Sequence, residues 1–254
     1  MTPDSGVRLD LDGPVATVTL CRPEVLNAQT PAMWGALRTF SRELSGEIRV
    51  VVIRGEGRAF SAGLDLSVAR GSDDSSFARL TQLSADDCAD SIAEFQEAFT
   101  WLRRPDVVTV AAVQGHAIGA GFQLALACDL RVLADNALFS MAEVTLGLVP
   151  DLGGTKRLVE LVGYSRAMEL CLTGRRVPAP EAHRIGLANV VVAPTELGGA
   201  VADLVAAVLA ADRSAAAEIK SLLAGAADRS YPEQDRAERE AQTRRLRDIA
   251  GMEP

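Results

Sequence analysis

The sequence predicts an α/β fold in which short β-strands alternate with helices and a helical region completes the chain. Two observations carry this prediction: apolar runs of strand length recur between segments of helical periodicity, and beyond Gly154 the helical pattern is nearly continuous. The chain has 254 residues, of which 48% are hydrophobic and 24% are charged. This composition is typical of a globular protein with a sizeable core.

The first elements along the chain are a hairpin and a helix. Residues 7–11 and 15–20 alternate apolar and polar side chains on either side of an Asp12-Gly13 turn, which indicates two paired strands. Thr30-Pro31 combines a preferred N-cap residue with proline at the first helical position, and apolar residues then recur at helical spacing as far as Gly46. A helix is therefore predicted over this stretch.

The next strands are predicted from short apolar runs, the pattern of strands buried on both faces. These runs lie at residues 50–53, 107–113 and 130–134. A segment rich in Ser, Asp and Gly at 67–87 predicts a loop with a short helical piece. The apolar spacing over 89–102 then predicts a helix, which Pro105 ends.

The remaining elements are mainly helical. An apolar helix is predicted from Gly119-Ala120-Gly121 to Cys128, directly after a strand, and residues 190–192 form a brief extended piece. Long Ala-rich helices complete the chain. No linker composition divides it into independent domains.

Charge and cysteine content exclude several classes of protein. The net charge of −8 argues against a nucleic-acid partner. The four cysteines form no C-x-x-C pair and only two histidines are present, so we expect free thiols and no metal site. Residues 1–10 lack the apolar run of a signal peptide, and no stretch is apolar enough to span a membrane. These features predict a cytoplasmic protein without a membrane partner.

Two segments are suited to binding a ligand through backbone N–H groups. Residues 58–66 follow a buried strand and contain small residues and Gly63, which permit close approach of the backbone. Gly119-Ala120-Gly121 opens a helix, where free N–H groups and the helix dipole favour negative charge. Tight helix–strand packing would also require small residues there. A nucleotide phosphate is disfavoured because no G-x-G-x-x-G frame or Walker lysine is present.

Two carboxylates, Glu143 and Asp151, flank an apolar turn that contains glycine and proline. In apolar surroundings a carboxyl group has a raised pKa and can act as a general acid or base. Two other interpretations stay open at this point. Glu143 would be an ordinary surface residue, and Asp151 would cap a helix that begins near Gly153.

Taken in order, several strings resemble the enoyl-CoA hydratase/isomerase (crotonase) family. They are AFSAGLDL at 59–66, GHAIGAG at 115–121, LALACD at 124–129 and LGLVPDLGGT at 146–155, with RPEVLNA at 22–28, LTGR at 172–175, AHRIGL at 182–187 and Lys220. The resemblance covers nearly the whole chain. It implies a spiral of ββα units over 1–195 and a helical trimerisation region over 196–254. It also implies a homotrimer or a dimer of trimers.

The resemblance further implies an acyl-CoA thioester substrate whose oxygen lies between two backbone N–H groups. By position these belong to Leu64 and Ala120, with Gly121 as the alternative to Ala120. Each such donor contributes ~3–4 kcal/mol to stabilising an enolate. Contacts with coenzyme A are expected at Arg22, Ala28, Ala62, Gly63, Asp65 and Leu66. No metal or redox cofactor is implied, because coenzyme A enters as part of the substrate.

The catalytic residues that the resemblance implies favour isomerisation. Hydratases of this family use two glutamates, of which the second matches Glu143, but the first falls at Gln123, which is no base. Isomerases of the family work with a single glutamate, and dienoyl-CoA isomerases pair it with an aspartate eight residues later, as at Asp151. A double-bond isomerase is therefore predicted. The alternatives are a hydratase that uses Glu143 and a water held by Gln123, and a non-catalytic acyl-CoA binder.

Overall fold

The computed structural model describes residues 5–67 and 77–252. Within them a six-stranded sheet has the order β1-β2-β3-β4-β6-β9, and a three-stranded sheet has the order β5-β7-β8. The strands are β1 (Val7–Asp12), β2 (Val15–Leu20), β3 (Val50–Gly55), β4 (Val108–Val113), β5 (His116–Ile118), β6 (Leu130–Ala134), β7 (Leu138–Ser140), β8 (Val177–Pro178) and β9 (Val190–Val192). The β1–β2 pair is antiparallel, and the other neighbours in the large sheet are parallel.

Helices follow the strands and then dominate the second half of the chain. They are α1 (Pro31–Glu43), α2 (Phe77–Leu80), α3 (Ala85–Thr100), α4 (Ala120–Ala127), α5 (Gly154–Val162), α6 (Tyr164–Thr173), α7 (Ala179–Arg184), α8 (Leu197–Ala210), α9 (Arg213–Gly225) and α10 (Tyr231–Ile249). The α/β fold class, the hairpin and the alternation of strands with helices are thus confirmed. In the described residues no single helix has the length and apolar composition to cross a membrane, although the bent pair Pro194–Ala210 and Arg213–Asp228 meets that criterion jointly.

Three predicted details differ from the structure. Helix α3 begins at Ala85, four residues earlier than expected, because the Ser84 hydroxyl accepts a hydrogen bond from the Asp87 N–H and caps the helix. The predicted loop at 67–87 is therefore shorter, and its residues 68–76 lie outside the described part of the chain. The small sheet was not predicted, since strands of two or three residues carry no readable periodicity.

The apolar run at residues 50–53 of strand β3 is buried on both faces of the large sheet. Val51 and Ile53 face the main core with the apolar sides of α1, α3 and α4. Val50 and Val52 face the opposite side, where α8 covers the sheet with Val201 and other residues. The continuous apolar run therefore reflects two hydrophobic layers rather than one. Helix α8 lies just beyond residue 195, and the predicted domain boundary there stays a prediction.

Lys220 joins helix α9 to the body of the fold. Its Nζ donates to the Asp129 carboxylate at 2.7 Å and to the carbonyls of Leu102 and Val107 at 3.2 and 2.8 Å. Its side chain is only 10% exposed. Asp129 also accepts from the N–H and hydroxyl of Thr109 at the start of β4. This half-buried ion pair therefore ties α9 to β4 and β6.

We expect Lys220→Met to lower the free energy of unfolding by about 2–3 kcal/mol, because it leaves a poorly solvated carboxylate without its cation. Lys156→Met is the matched control. Lys156 also pairs with an aspartate, Asp228, but its side chain is 63% exposed, so its loss is expected to change the free energy of unfolding little. Urea denaturation of both variants measures the difference. Equal losses would show that the Lys220 pair has no special role.

Candidate active site

The segment after β3 lies in extended contact with the small sheet. The Ser61 N–H donates to the His116 carbonyl at 2.8 Å, and the Ile118 N–H donates to the Ser61 carbonyl at 3.0 Å. These bonds are a single parallel bridge beside β5. The segment that carries the first glycine motif is thereby fixed next to the start of helix α4.

Gln29 holds the other edge of this segment. Its N–H donates to the Gly63 carbonyl at 2.6 Å, and its carbonyl accepts from the Asp65 N–H at 2.8 Å. Leu64 lies between these two bonds, so its N–H points away from Gln29. Within residues 5–67 and 77–252 this N–H has no hydrogen-bond acceptor. Leu64 thus offers a free backbone donor, and its expected bond to a thioester oxygen stays a prediction.

The second motif brings the start of α4 into contact with the first. Gly63 has φ +88°, and a Cβ there would lie 2.4 Å from the Ile118 carbonyl oxygen and 3.5 Å from the Ala120 nitrogen. Ala120 and Gly121 are the first residues of α4, where N–H groups have no acceptor within the helix. The free N–H of Leu64 and those of Ala120 and Gly121 are therefore neighbours in the fold.

Glu143 lies against this N-terminus of α4. Its Oε1 is 3.3 Å from the position that a Cβ on Gly119 would take, and Oε1 accepts a 2.7 Å hydrogen bond from the Gln123 Nε2. Its Oε2 is buried without a hydrogen-bond partner among the described residues. Burial raises the pKa of Glu143, and the negative charge of Asp151 adds to this effect. Glu143 is therefore not an ordinary surface residue.

Gln123 holds Glu143 in position. Its side chain is buried, and its Oε1 accepts from the backbone N–H groups of Leu152 and Gly154 at 2.9 and 3.2 Å. Gly154 permits this approach, because a Cβ there would lie 2.7 Å from the Gln123 Cγ. Both lone pairs of the amide oxygen are used, so it has no acceptor capacity left for the proton of a water. The second proton on Nε2 can still donate to the oxygen of a water, so the expected water-holding role stays a prediction.

Asp151 lies on the turn that Gln123 binds. Helix α5 has Gly153 as its N-cap residue and no side-chain cap, so the interpretation of Asp151 as a helix cap is wrong. The Asp151 carbonyl accepts a 2.6 Å hydrogen bond from the Gln96 side chain on α3. Burial raises the pKa of the Asp151 carboxyl. The structure thus brings the three predicted catalytic side chains, Glu143, Asp151 and Gln123, to one place.

The expected coenzyme A contacts form one connected cluster. The Arg22 guanidinium donates to the Ala28 carbonyl at 2.7 Å and to the Asp65 carboxylate at 2.9 Å. Burial opposes ionisation of Asp65, but hydrogen bonds from Ser67 and Arg22 hold its pKa below the usual value. Ala28 and Gly63 are buried, Ala62 and Leu64 half-buried, and Leu66 exposed. Arg22 is therefore bound internally, and its contact with a ligand stays a prediction.

A buried polar residue that the motifs did not indicate is Gln29. It is fully buried, and its side chain donates to the Ser61 hydroxyl at 3.1 Å. Periodicity could not have identified it, because its neighbour Thr30 and the motif residue Asn27 are equally polar. Only the fold reveals that it lies under the first glycine motif.

The raised pKa of Glu143 has a consequence for stability. In the folded state the pKa of Glu143 lies above the ordinary 4.5. At pH values between the unfolded-state pKa and the folded-state pKa, the native state therefore binds more protons than the unfolded state. The free energy of unfolding decreases as pH rises through this range. We expect Glu143→Gln to raise the Tm at about pH 8 and to leave it unchanged at about pH 3.5, where the carboxyl is protonated in both states. Calorimetry at both pH values measures this. Glu47→Gln, at an exposed carboxylate, is the control, and an equal rise in both variants would contradict the burial argument.

Backbone N–H groups without an acceptor among the described residues lie beside a half-buried carboxylate, within an α/β fold. The chain belongs to the enoyl-CoA hydratase/isomerase family, whose model matches residues 11–248. The fold is accordingly that of the crotonase enzymes, as the sequence resemblance implied. In the described residues no group of three or more His, Cys, Asp or Glu side chains is placed to hold a metal ion.

Individual relatives agree with this assignment. A Thermobifida fusca protein assigned as an enoyl-CoA hydratase has been solved in complex with CoA. It is 49% identical to this chain, and the match has a TM-score of 0.90 and covers 97% of this chain and 95% of the other. Its complex with acetoacetyl-CoA matches with a TM-score of 0.91 and 49% identity over 96% of each chain. The short-chain-enoyl-CoA hydratase of Clostridium acetobutylicum is 34% identical over 196 residues, which are 76% of this chain and 71% of that protein.

Proposed function

We propose that this enzyme binds an acyl-CoA thioester and moves a carbon–carbon double bond along the acyl group, with Glu143 as the acid/base. An acyl-CoA substrate is supported by the Thermobifida fusca relative, whose structures contain CoA and acetoacetyl-CoA. The single observation that carries the proposed reaction is the arrangement at Gln123, where hydrogen bonds occupy the amide oxygen and Glu143 is held with one oxygen free.

In the proposed mechanism the thioester oxygen accepts hydrogen bonds from the Leu64 and Ala120 N–H groups. Removal of a proton from the acyl chain places negative charge on this oxygen, which the two backbone donors stabilise without reorganising. The free Leu64 N–H and the close contact of Gly63 with Ile118 and Ala120 support this role. The dipole of α4, which begins at Ala120, favours the same charge.

The unpaired Oε2 of Glu143 would remove the proton at one carbon and return it at another. A single carboxylate suffices for this transfer, because the same proton leaves and returns and no water is consumed. Asp151 would extend the distance over which a proton can move when the substrate is a conjugated diene. Burial raises the pKa of Asp151, which supports this role, since a carboxyl with a raised pKa accepts and returns protons more readily at physiological pH.

Hydration of a 2-enoyl-CoA is the second candidate reaction. The names of relatives favour it, among them the Clostridium acetobutylicum hydratase. In this mechanism Glu143 would take the proton from an attacking water, without help from a second carboxylate at position 123. A non-catalytic binder is the third alternative, and the free oxygen on Glu143 speaks against it.

A panel of 2-enoyl-, 3-enoyl- and dienoyl-CoA thioesters separates these reactions. Isomerisation leaves the mass of the thioester unchanged, whereas hydration adds one water, so mass spectrometry of the products distinguishes them. We expect 3-enoyl- or dienoyl-CoA to be converted at unchanged mass, with little hydrated product from 2-enoyl-CoA. Rapid, Glu143-dependent hydration would establish the hydratase instead. Tight binding without turnover on every thioester would establish the binder.

Assembly and location stay predictions. A homotrimer or a dimer of trimers is proposed from the family resemblance. Exposed apolar side chains on the last helices support it, namely Ile219, Leu223, Leu246 and Ile249. Light scattering in solution measures the number of subunits. The proposed location is the cytoplasm.

A further inference from the structure

We propose that Gln29 is a positioning residue for the backbone donor at Leu64, an inference that rests on the proposed oxyanion pocket. The observation that supports this proposal is a continuous path of buried hydrogen bonds. It runs from Trp34 on α1 through the Gln29 side chain to the Ser61 hydroxyl, and from there to Gly63, the residue before Leu64.

Ser61 is the centre of this network. Its hydroxyl accepts from the Gly63 N–H at 3.2 Å and from the Gln29 Nε2 at 3.1 Å, and it donates to the Asn27 carbonyl at 2.8 Å. Ser61, Gln29 and Asn27 are all fully buried. A buried hydroxyl with this set of partners has one orientation, so it holds the Ala62–Gly63 peptide, which directly precedes the peptide of Leu64, in one direction.

Gln29 makes contact with the same segment through both its backbone and its side chain. The backbone bonds to Gly63 and Asp65 fix the edge of the segment. The side-chain bond to Ser61 fixes the turn just before Gly63, because the Ser61 hydroxyl is the acceptor for the Gly63 N–H. The Leu64 N–H is thereby aimed at the pocket from both sides of Gly63.

Trp34 anchors the Gln29 side chain. Its indole N–H donates to the Gln29 Oε1 at 2.8 Å. The ring packs on Phe95 and Phe99 of α3, with ring centroids 4.9 and 6.2 Å apart. The neighbouring Gln96 on α3 donates to the Asp151 carbonyl. Helix α3 is therefore in contact with both the donor side and the carboxylate side of the site.

A misaimed donor weakens binding of the enolate more than binding of the substrate, because negative charge on the thioester oxygen develops only as the reaction proceeds. Gln29→Met keeps the volume of the side chain and removes both of its hydrogen bonds. We expect kcat to fall about tenfold with KM changed by less than about twofold. A change that only loosened the fold would not separate the two constants in this way.

Acetoacetyl-CoA gives a readout that does not depend on turnover. Its enolate absorbs in the near ultraviolet, and an oxyanion pocket raises the fraction of bound ligand present as the enolate. In Gln29→Met we expect the ratio of enolate to keto form to fall about tenfold relative to the unmodified enzyme. Trp34→Phe, which keeps an aromatic ring packed against α3 but loses the donor to Gln29, is expected to lower the ratio by a smaller factor.

Phe40→Leu is the control for a loss of stability. Phe40 lies in the core on the same helix as Trp34, so its variant is destabilised without a change in the network. The role of Gln29 would be overturned if Gln29→Met and Trp34→Phe had the same ratio of enolate to keto form as the unmodified enzyme. It would also be overturned if this ratio fell as much in Phe40→Leu as in Gln29→Met. If the unmodified enzyme itself fails to enrich the enolate, the oxyanion pocket of the proposed function is what fails.

Discussion

Glu143→Gln is expected to lower kcat by about 10³-fold while KM changes by less than about twofold. The amide keeps the shape of the carboxyl group and its oxygen still accepts from Gln123, so the turn at 151–154 is not disturbed. What is lost is the free Oε2, the atom proposed to move the proton. Steady-state kinetics on the best thioester of the panel measures both constants.

The pH dependence of the unmodified enzyme provides a second test of the same residue. Because the pKa of Glu143 is raised, the ionised base disappears as pH falls through a value above 4.5, and kcat is expected to fall with it. The residual activity of Glu143→Gln should lack this acid limb. A variant that kept normal kcat, or an acid limb that persisted unchanged, would exclude Glu143 as the base.

Asp151→Asn distinguishes one carboxylate from two. If Asp151 moves a proton only on conjugated substrates, its loss should slow dienoyl-CoA conversion and leave 3-enoyl-CoA conversion nearly unchanged. Asp151 lies on the turn that Gln123 binds, and it contacts α3 through its carbonyl rather than its side chain. The substitution therefore removes a charge without removing a side-chain hydrogen bond to any residue in 5–67 or 77–252.

Gly63→Ala is expected to lower kcat by about 10²-fold or more, because it separates the two backbone donors. The added Cβ would lie 2.4 Å from the Ile118 carbonyl oxygen, which is backbone and cannot rotate away. The segment carrying Leu64 must then move from the start of α4. Loss of one aimed donor accounts for an effect of this size in oxyanion sites.

Gly13→Ala is the matched control for Gly63→Ala. Gly13 also has a positive φ, +52°, so both substitutions carry the same kind of backbone strain. Its Cβ would meet no atom within 4 Å, and it lies in the turn between β1 and β2, far from the pocket in the fold. Both variants should lose stability, but only Gly63→Ala should lose kcat. Equal activity in the two would show that close approach at Gly63 is not needed.

Much of the fold was predictable because its signals are local. Thr30 caps α1 through the Met33 N–H, and proline follows it, as the sequence indicated. The boundary of α3 was missed by four residues, since Ser84 and its neighbours are as typical of a loop as of a helix start. The small sheet was missed entirely because its strands pair only after distant segments meet.

Part of the candidate site could likewise be predicted from the sequence, and part of it could not. Leu64, Ala120 and Glu143 were identified from motifs whose residue types and order are specific to the family, and the fold brings them together. The partners of Gln123 were not predictable, because Glu143 and Leu152 lie 20 and 29 residues away from it. An amide side chain has the same appearance in a sequence whether it binds water or a carboxylate.

The sequence by itself determined the family, the α/β class and the residues proposed to carry the chemistry, because these depend on short motifs and local periodicity. Only the tertiary structure decided that Gln123 holds Glu143, that Asp151 is not a helix cap, and that Gln29 lies beneath the first motif. The physical reason is that a buried polar group needs hydrogen-bond partners, and the fold alone determines which distant groups lie within about 3 Å of it.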